Sequence, residues 1–341
     1  MPLNVAVMGA TGAVGQVMLE ILAERNFPVG ELRLLASPRS EGKTIDFKGE
    51  PHTVRALGED SFAGIDLVLA SAGGSLSKRF NPHAVEAGAV VVDNTSAFRM
   101  DPEVPLVVPE INAADLEDHK GIIANPNCST IIMDVVVWPL YQLKRVERIV
   151  VSTYQAVSGA GARAMEELEQ QTRNLLAGKA VEPAELPHQI AFNLFSHDSS
   201  IGPEGYCEEE MKMIAETRKL FHDREIKISA TTVRVPVFRA HSEAINLEFS
   251  EPVDVDAARE ALAAAPGVRV IDDRERNYFP MPIEASNHDD VLVGRVRKDI
   301  SRPDGRGLDL WVSGDQLRKG AALNAVQIAE EMVQRGLLPA S

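Results

Sequence analysis

The sequence predicts an α/β protein, with a Rossmann-like, doubly wound parallel sheet in its N-terminal half and an α+β domain after it. Two patterns carry this reading. Short Val/Ile/Leu-rich runs recur through the first half as continuous apolar stretches, as strands buried on both faces require. Beyond about Ser129 several runs instead alternate polar and apolar residues, as on a sheet with one wetter face. The length, 341 residues, suits two domains, because single cores stop growing well before it.

The elements follow in order. Leu3 to Met8, Leu32 to Ala36, Ile65 to Ser71, Ala89 to Asp93, Leu106 to Val108 and Ile122 to Ala124 read as strands. Between the first two lies Ala13 to Arg25, with Val14, Val17, Met18, Ile21 and Leu22 at helical spacing, which makes a β-α-β opening. The second half begins with a long apolar helix, Ser129 to Gln142, and the strand Arg148 to Gln155. An amphipathic helix follows over Ala162 to Leu176, then an irregular, Pro-bearing stretch from Gly178 to Gly205. Further strands are expected at Ile226 to Val235, Ala244 to Phe249, Val268 to Ile271, Val291 to Val296 and Leu308 to Ser313. Helices over Glu208 to Phe221 and Val255 to Ala264 sit between them, and an amphipathic last helix, Gln316 to Arg335, is expected to pack back on the first domain.

Composition bounds the function. The formal net charge is -15, spread along the chain, which argues against nucleic acid as the main partner. An anionic substrate must therefore meet a local cluster of cations. No apolar run approaches the roughly 18 residues a membrane helix needs, and the start, Met1-Pro2-Leu3-Asn4, lacks the basic n-region of a signal peptide. Two cysteines, Cys128 and Cys207, are too few for a disulfide framework, so a reduced, cytoplasmic setting is expected.

Gly9-Ala10-Thr11-Gly12-Ala13-Val14-Gly15 closes the first strand and opens the first helix. Gly9 permits the tight turn, Gly12 lets backbone approach a pyrophosphate, and Gly15 allows close helix-sheet packing. The alternative is a glycine turn with no ligand; the flanking strand and helix favour a dinucleotide. After the second strand an NAD site offers an acid to the ribose, whereas an NADP site offers Arg and hydroxyls to a 2′-phosphate. Here Ser37, Arg39 and Ser40 come first, ahead of Glu41, which favours NADP over an incidental polar loop. Ser71, ending the third strand, is counted with the cofactor residues.

Asn125-Pro126-Asn127-Cys128-Ser129-Thr130 joins a parallel strand to a helix. A thiol at that carboxyl end and helix N-terminus meets partial positive charge and N–H groups that favour the thiolate. A buried structural cysteine is the ordinary alternative, and it suits Cys207 better. Of the eight histidines, His241 stands out in Arg234-Val235-Pro236-Val237-Phe238-Arg239-Ala240-His241, beside two cations. Sequence alone leaves it open between a bystander and the thiol's proton partner.

Taken together these motifs resemble the aspartate-semialdehyde dehydrogenase family over nearly the whole chain. The resemblance also covers Asp93-Asn94-Thr95-Ser96-Ala97-Phe98-Arg99, Gln155-Ala156-Val157-Ser158-Gly159-Ala160-Gly161 and Glu208-Glu209-Glu210-Met211-Lys212. It implies NADPH-dependent reductive dephosphorylation of L-aspartyl 4-phosphate to L-aspartate 4-semialdehyde, feeding lysine, threonine, methionine and cell-wall precursor synthesis. It implies Cys128 as nucleophile, His241 as general acid/base, Gln155 orienting the intermediate and Asn127 supporting the thiol. Arg234 would hold the substrate α-carboxylate, Glu209 its amino group, and Arg99 and Lys212 the phosphoryl group. Ser158, Gly159 and Asn324 would contact the nicotinamide end. Residues 1–128, completed by 316–341, would form the NADP-binding domain, and 129–315 the catalytic and dimerisation domain of a homodimer. No family function maps onto Gly178 to Gly205 beyond a dimer contact.

Three rivals share parts of this pattern. An N-acetyl-glutamyl-phosphate reductase uses the same thiol chemistry, but its blocked amine would leave Glu209 unpaired. A glyceraldehyde-3-phosphate dehydrogenase is expected to show the acid missing after the second strand. A non-catalytic NADP-binding protein has no use for Cys128, Gln155, Arg234 and His241 together.

Overall fold

The computed structural model describes residues 2–338, and its contacts divide the chain into two compact units, Met1–Asn127 with Ala321–Ser341, and Cys128–Gly320. Residue 1 and residues 339–341, assigned from the sequence to the first domain, lie outside the described residues.

The first unit contains β1 (Leu3–Met8), α1 (Ala13–Glu24), β2 (Val29–Ala36), β3 (Thr44–Phe47), β4 (Glu50–Thr53), β5 (Arg55–Ala56), β6 (Leu67–Ala70), α2 (Gly74–Glu86), β7 (Val90–Asp93), α3 (Pro109–Asn112) and β8 (Ile122–Ala124). Its six-stranded sheet runs β5-β2-β1-β6-β7-β8, every neighbour parallel. The order winds outward both ways from β1, which is the doubly wound topology expected. The C-terminal helix Leu323–Arg335 packs on α1, α3, β6 and β7, and Arg25 pairs with Glu330 at 2.8 Å.

The structure departs from the sequence reading at several points, among them the last helix, expected from Gln316, which begins at Leu323 after a π-helical turn. Leu106 to Val108, expected as a strand, makes one parallel bridge, Leu106 to Ala124, because Pro109 starts α3 immediately after it. The β3–β4 hairpin had no strong alternating pattern. Helix α2 escaped individual notice because its buried face is partly polar. Ser77 Oγ and Asn81 Nδ2 each donate to a carboxylate oxygen of Asp93 at 3.0 Å.

The second unit contains α4 (Cys128–Leu143), β9 (Val146–Gln155), α5 (Ala162–Leu176), β10 (Phe195–Ser196), α6 (Glu208–Leu220), β11 (Lys227–Arg234), β12 (His241–Phe249), α7 (Val255–Ala264), β13 (Val268–Val270), α8 (Pro282–Ala285), β14 (Val291–Lys298) and β15 (Gly307–Gly314). Its seven-stranded mixed sheet runs β10-β11-β9-β12-β15-β14-β13. Helix α4, buried along most of its length, packs on β9, β12, β14 and β15, while α6 covers β11 and α7 covers β13 and β14. The stretch Gly178 to Gly205 is irregular apart from β10, and α5 holds its backbone. Glu167 accepts the N–H groups of Ala184, Glu185 and Leu186, and Gln171 accepts those of Ile190 and Ala191.

Among the acids buried inside this unit are Asp134 on α4 and Glu243 on β12, both fully buried. Among the described residues neither Glu243 oxygen has a hydrogen-bond partner, and Asp134 accepts from Thr217 alone, at 3.1 Å. Burial, and secondarily the charge of Asp134, push the Glu243 carboxyl well above its usual range. The folded state therefore keeps a proton that the unfolded chain releases in the ordinary carboxylate range. Stability is fully present below that range and is lost as pH rises toward the folded value. A glutamine copies the neutral acid, and each unit of displacement is worth about 1.4 kcal/mol. Glu243→Gln is expected to match wild type in urea midpoint near pH 4 and exceed it at pH 8; a lower midpoint at pH 8 would contradict a neutral Glu243.

Candidate active site

Three strand ends meet at one edge of the second sheet. The parallel strands β9 and β11 finish together, Gln155 in register with Arg234. The antiparallel strand β12 starts there with His241, one residue before the Ser242–Tyr154 pair. Helix α4 lies on β9 and β12, with Cys128 as its first residue.

The thiol faces the histidine. Cys128 Sγ and His241 Nε2 are 3.6 Å apart, and His241 Nδ1 accepts the Ala156 N–H at 2.9 Å. A neutral ring so held carries its proton on Nε2, the atom facing sulfur. His241 is fully buried, and burial first, then the charges of Arg234 and His197, push its pKa well down. The imidazolium is accordingly disfavoured at rest.

Gln155 is fixed at both ends of its amide. Thr153 Oγ1 donates to its Oε1, and its Nε2 donates to Glu209 Oε1, each at 3.2 Å. Glu209, in the first turn of α6, is buried, and Lys212 lies 3.6 Å from its Oε2 and 3.2 Å from Glu208. The third acid of that run, Glu210, has a structural task. It accepts the Cys207 N–H at 2.8 Å and the Thr232 N–H at 3.0 Å, which caps α6 and ties it to β11. Cys207 itself is buried, its sulfur 3.3 Å from Thr232 Oγ1, far from the exposure a reactive thiol needs. Arg234 is buried, with Nη1 donating to the Ala156 carbonyl at 3.2 Å and Nη2 to Asp198 at 3.0 Å. Gly159 lies against the same groups: a Cβ there would sit 3.3 Å from His241 Cε1 and 3.5 Å from Arg234 Nη1.

The remaining expected residues fall in the first unit, apart from Ser158, whose hydroxyl accepts from Gln316 Nε2. Arg99 is buried and donates to the Asn125 carbonyl at 2.9 Å and the Asn94 carbonyl at 2.8 Å, joining the 93–99 loop to the Asn125–Asn127 segment. Asn324 donates to Val107 O and Asn125 Oδ1. In the glycine loop, Gly9 has φ +91°, and a Cβ would sit 2.5 Å from the Ser71 carbonyl; at Gly15 it would sit 2.3 Å from the Gly9 carbonyl. Glycine is thus obligatory at both. Gly12 precedes Ala13, Val14 and the rest of α1, and no side chain caps that helix. Thr11 lies in the loop, half-buried. Ser37 and Arg39 are exposed, and Ser40 is turned inward.

Sequence reasoning missed residues that act through position. Gln316 Oε1 accepts the Ala240 N–H at 2.9 Å, so one side chain ties the Ser158 loop to the approach of β12. Gly320, in a π-helical turn, packs on Cys128: a Cβ there would lie 2.9 Å from Cys128 Cβ. Gly320→Ala is expected to shift the thiol and lower kcat roughly 10- to 100-fold with an unchanged circular dichroism spectrum. Wild-type kcat in that variant would show that the contact is not needed.

Known proteins resemble the chain in sequence and in fold. The NAD-binding domain model of semialdehyde dehydrogenases matches residues 4–119, and their dimerisation domain model matches residues 137–319. Aspartate-semialdehyde dehydrogenase of a Synechocystis strain is 61% identical over 337 residues, 99% of each chain. That of Bacillus subtilis is 47% identical, over 98% of this chain and 99% of its own. The crystal structure of aspartate semialdehyde dehydrogenase II from Vibrio cholerae, known also complexed with ASA, superposes with a TM-score of 0.95 at 48% identity, covering 98% of this chain and 99% of that one. No described helix is long and apolar enough to cross a membrane. With both family domains matched in order and full-length identity this high, the chain belongs to the aspartate-semialdehyde dehydrogenase family.

Proposed function

We propose that the chain reduces L-aspartyl 4-phosphate to L-aspartate 4-semialdehyde with NADPH, through a thioester on Cys128, and works as a cytoplasmic homodimer. The observation that carries the reading is the 3.6 Å approach of Cys128 Sγ to His241 Nε2, beside Gln155, Glu209 and Arg234. Cys128 Sγ attacks the acyl carbon; the C–S bond forms, the C–O bond to phosphorus breaks, and phosphate leaves, its charge met by Arg99 and Lys212. The cofactor supplies the hydride that reduces the thioester. Hydride addition leaves a hemithioacetal alkoxide, whose C–S bond then breaks to release aldehyde and thiolate, while His241, as general acid, offers its Nε2 proton to the negative charge as it passes from oxygen to sulfur. Arg234 takes the α-carboxylate and Glu209 the ammonium, with Gln155 and Asn127 orienting the acyl group.

The first unit suits a dinucleotide. The uncapped N-terminus of α1 follows a turn in which Gly9 and Gly15 leave no room for a side chain, and the backbone can approach a pyrophosphate closely. Arg39, exposed and without an ion pair among the described residues, suits a 2′-phosphate, with Ser37 beside it.

Phosphate-dependent reduction of NADP with L-aspartate 4-semialdehyde, and none with N-acetyl-glutamate semialdehyde, tests the whole reading; silence with the first refutes it. Cys128→Ser is expected to lose at least roughly 10³-fold in kcat. Arg39→Ala is expected to raise KM for NADPH about tenfold and leave KM for NADH unchanged; an equal effect on both would remove Arg39 from the phosphate.

A further inference from the structure

The guanidinium of Arg234 is only partly satisfied. It is 3% exposed, and its Nε is buried with no hydrogen-bond partner among the described residues. Nη2 donates to Asp198 Oδ1 at 3.0 Å and faces His197 Nε2, also at 3.0 Å. Nε and Nη2 form the edge by which a guanidinium grips a carboxylate with two parallel N–H···O bonds. Here one prong rests on Asp198 and the other on nothing. A buried donor left unmade costs about 1–3 kcal/mol, so an anion spanning both prongs is preferred to one held by a single prong.

Asp198 is able to leave. It sits in the irregular chain between β10 and α6, and its side chain is 27% exposed, so water lies within reach. Burial works to raise its pKa, but the hydrogen bond and charge of Arg234 prevail and hold it below the usual carboxylate value. It is therefore ionised, as the counter-charge to a buried cation must be. His197 cannot serve as that counter-charge. Burial lowers its pKa, and a second cation 3.0 Å from Arg234 would repel.

We propose that Asp198 is a resident stand-in for the substrate α-carboxylate. It neutralises Arg234 in the free protein and is displaced when a carboxylate spans Nε and Nη2. The inference rests on reading Arg234 as the α-carboxylate site. It makes Asp198 a specificity residue: a ligand without a carboxylate has nothing to offer in exchange.

Asp198→Asn and Asp198→Ala, in the full chain, provide the test through two independent readings. KM for L-aspartate 4-semialdehyde in phosphate-dependent NADP reduction is expected to fall about fivefold in both, the scale of one net hydrogen bond. The Kd of L-2-aminobutyrate, a substrate-shaped amino acid with no aldehyde, is expected to fall likewise by calorimetry. Unchanged or raised values, with normal turnover, overturn the proposal and make Asp198 a brace that holds Arg234 for the substrate. A lowered Kd in a protein that does not turn over the semialdehyde sustains the displacement and removes the substrate reading instead.

Discussion

The Ala156 N–H donates to His241 Nδ1 across 2.9 Å, and the chemistry open to the thiol follows from that bond. It turns the ring so that Nε2 faces Cys128 and keeps the resting proton there. An imidazolium would set an Nδ1 proton against the Ala156 proton, so positive charge on the ring is disfavoured. Burial and the neighbouring Arg234 push the same way, and a ring so reluctant to hold charge would be a strong acid in the role proposed for it. Gly159 belongs to this constraint, because a side chain there would press on the ring and on Arg234 together.

The protein carries a net charge of -15 and yet must bind an anion. The structure meets this by giving the candidate binding cations partners that can be exchanged. Arg234 leans on Asp198, Lys212 on Glu208 and Glu209, and Arg99 on two backbone carbonyls. Unpaired cations at these depths would be expensive, and the desolvation would fall on the free protein. With these cations as the substrate's partners, binding would be an exchange, and discrimination would depend on how well a ligand's groups match those they replace.

The parts legible in the sequence were local ones. The glycine turn, the thiol between a strand and a helix, and the boundaries of β1, β8, α5 and α7 depend on residues close along the chain, where spacing and turn chemistry speak directly. Asp198, Ala156, Gln316 and Gly320 were not legible, because their meaning lies in partners far away in sequence: Asp198 with Arg234, and Gly320 with Cys128. In Glu208-Glu209-Glu210 the sequence shows three like acids, and only the fold separates a solvent ion pair, a site acid and a helix cap. Helix α2 hid for a related reason. Its Ser77 and Asn81 are buried by bonding Asp93, and periodicity of apolar residues cannot register a polar anchor.

The sheet order explains why the site closes at all. In the sequence β11 leads directly to β12, but in the sheet β9 lies between them. Residues 235–240 must therefore cross over the end of β9, above the chain that leaves Gln155. The crossing is bonded to what it passes: Val157 N–H donates to Val237 O at 2.9 Å, and Ser158 N–H to Phe238 O at 3.2 Å. So short a path forces Ala240 to a φ of +70°, an uncommon conformation for a residue with a Cβ, and Gln316 holds it there through the Ala240 N–H. The strain sits one residue before His241. The same crossing that strains Ala240 delivers His241 onto the Ala156 amide, so the local cost and the orientation of the ring have one geometric cause.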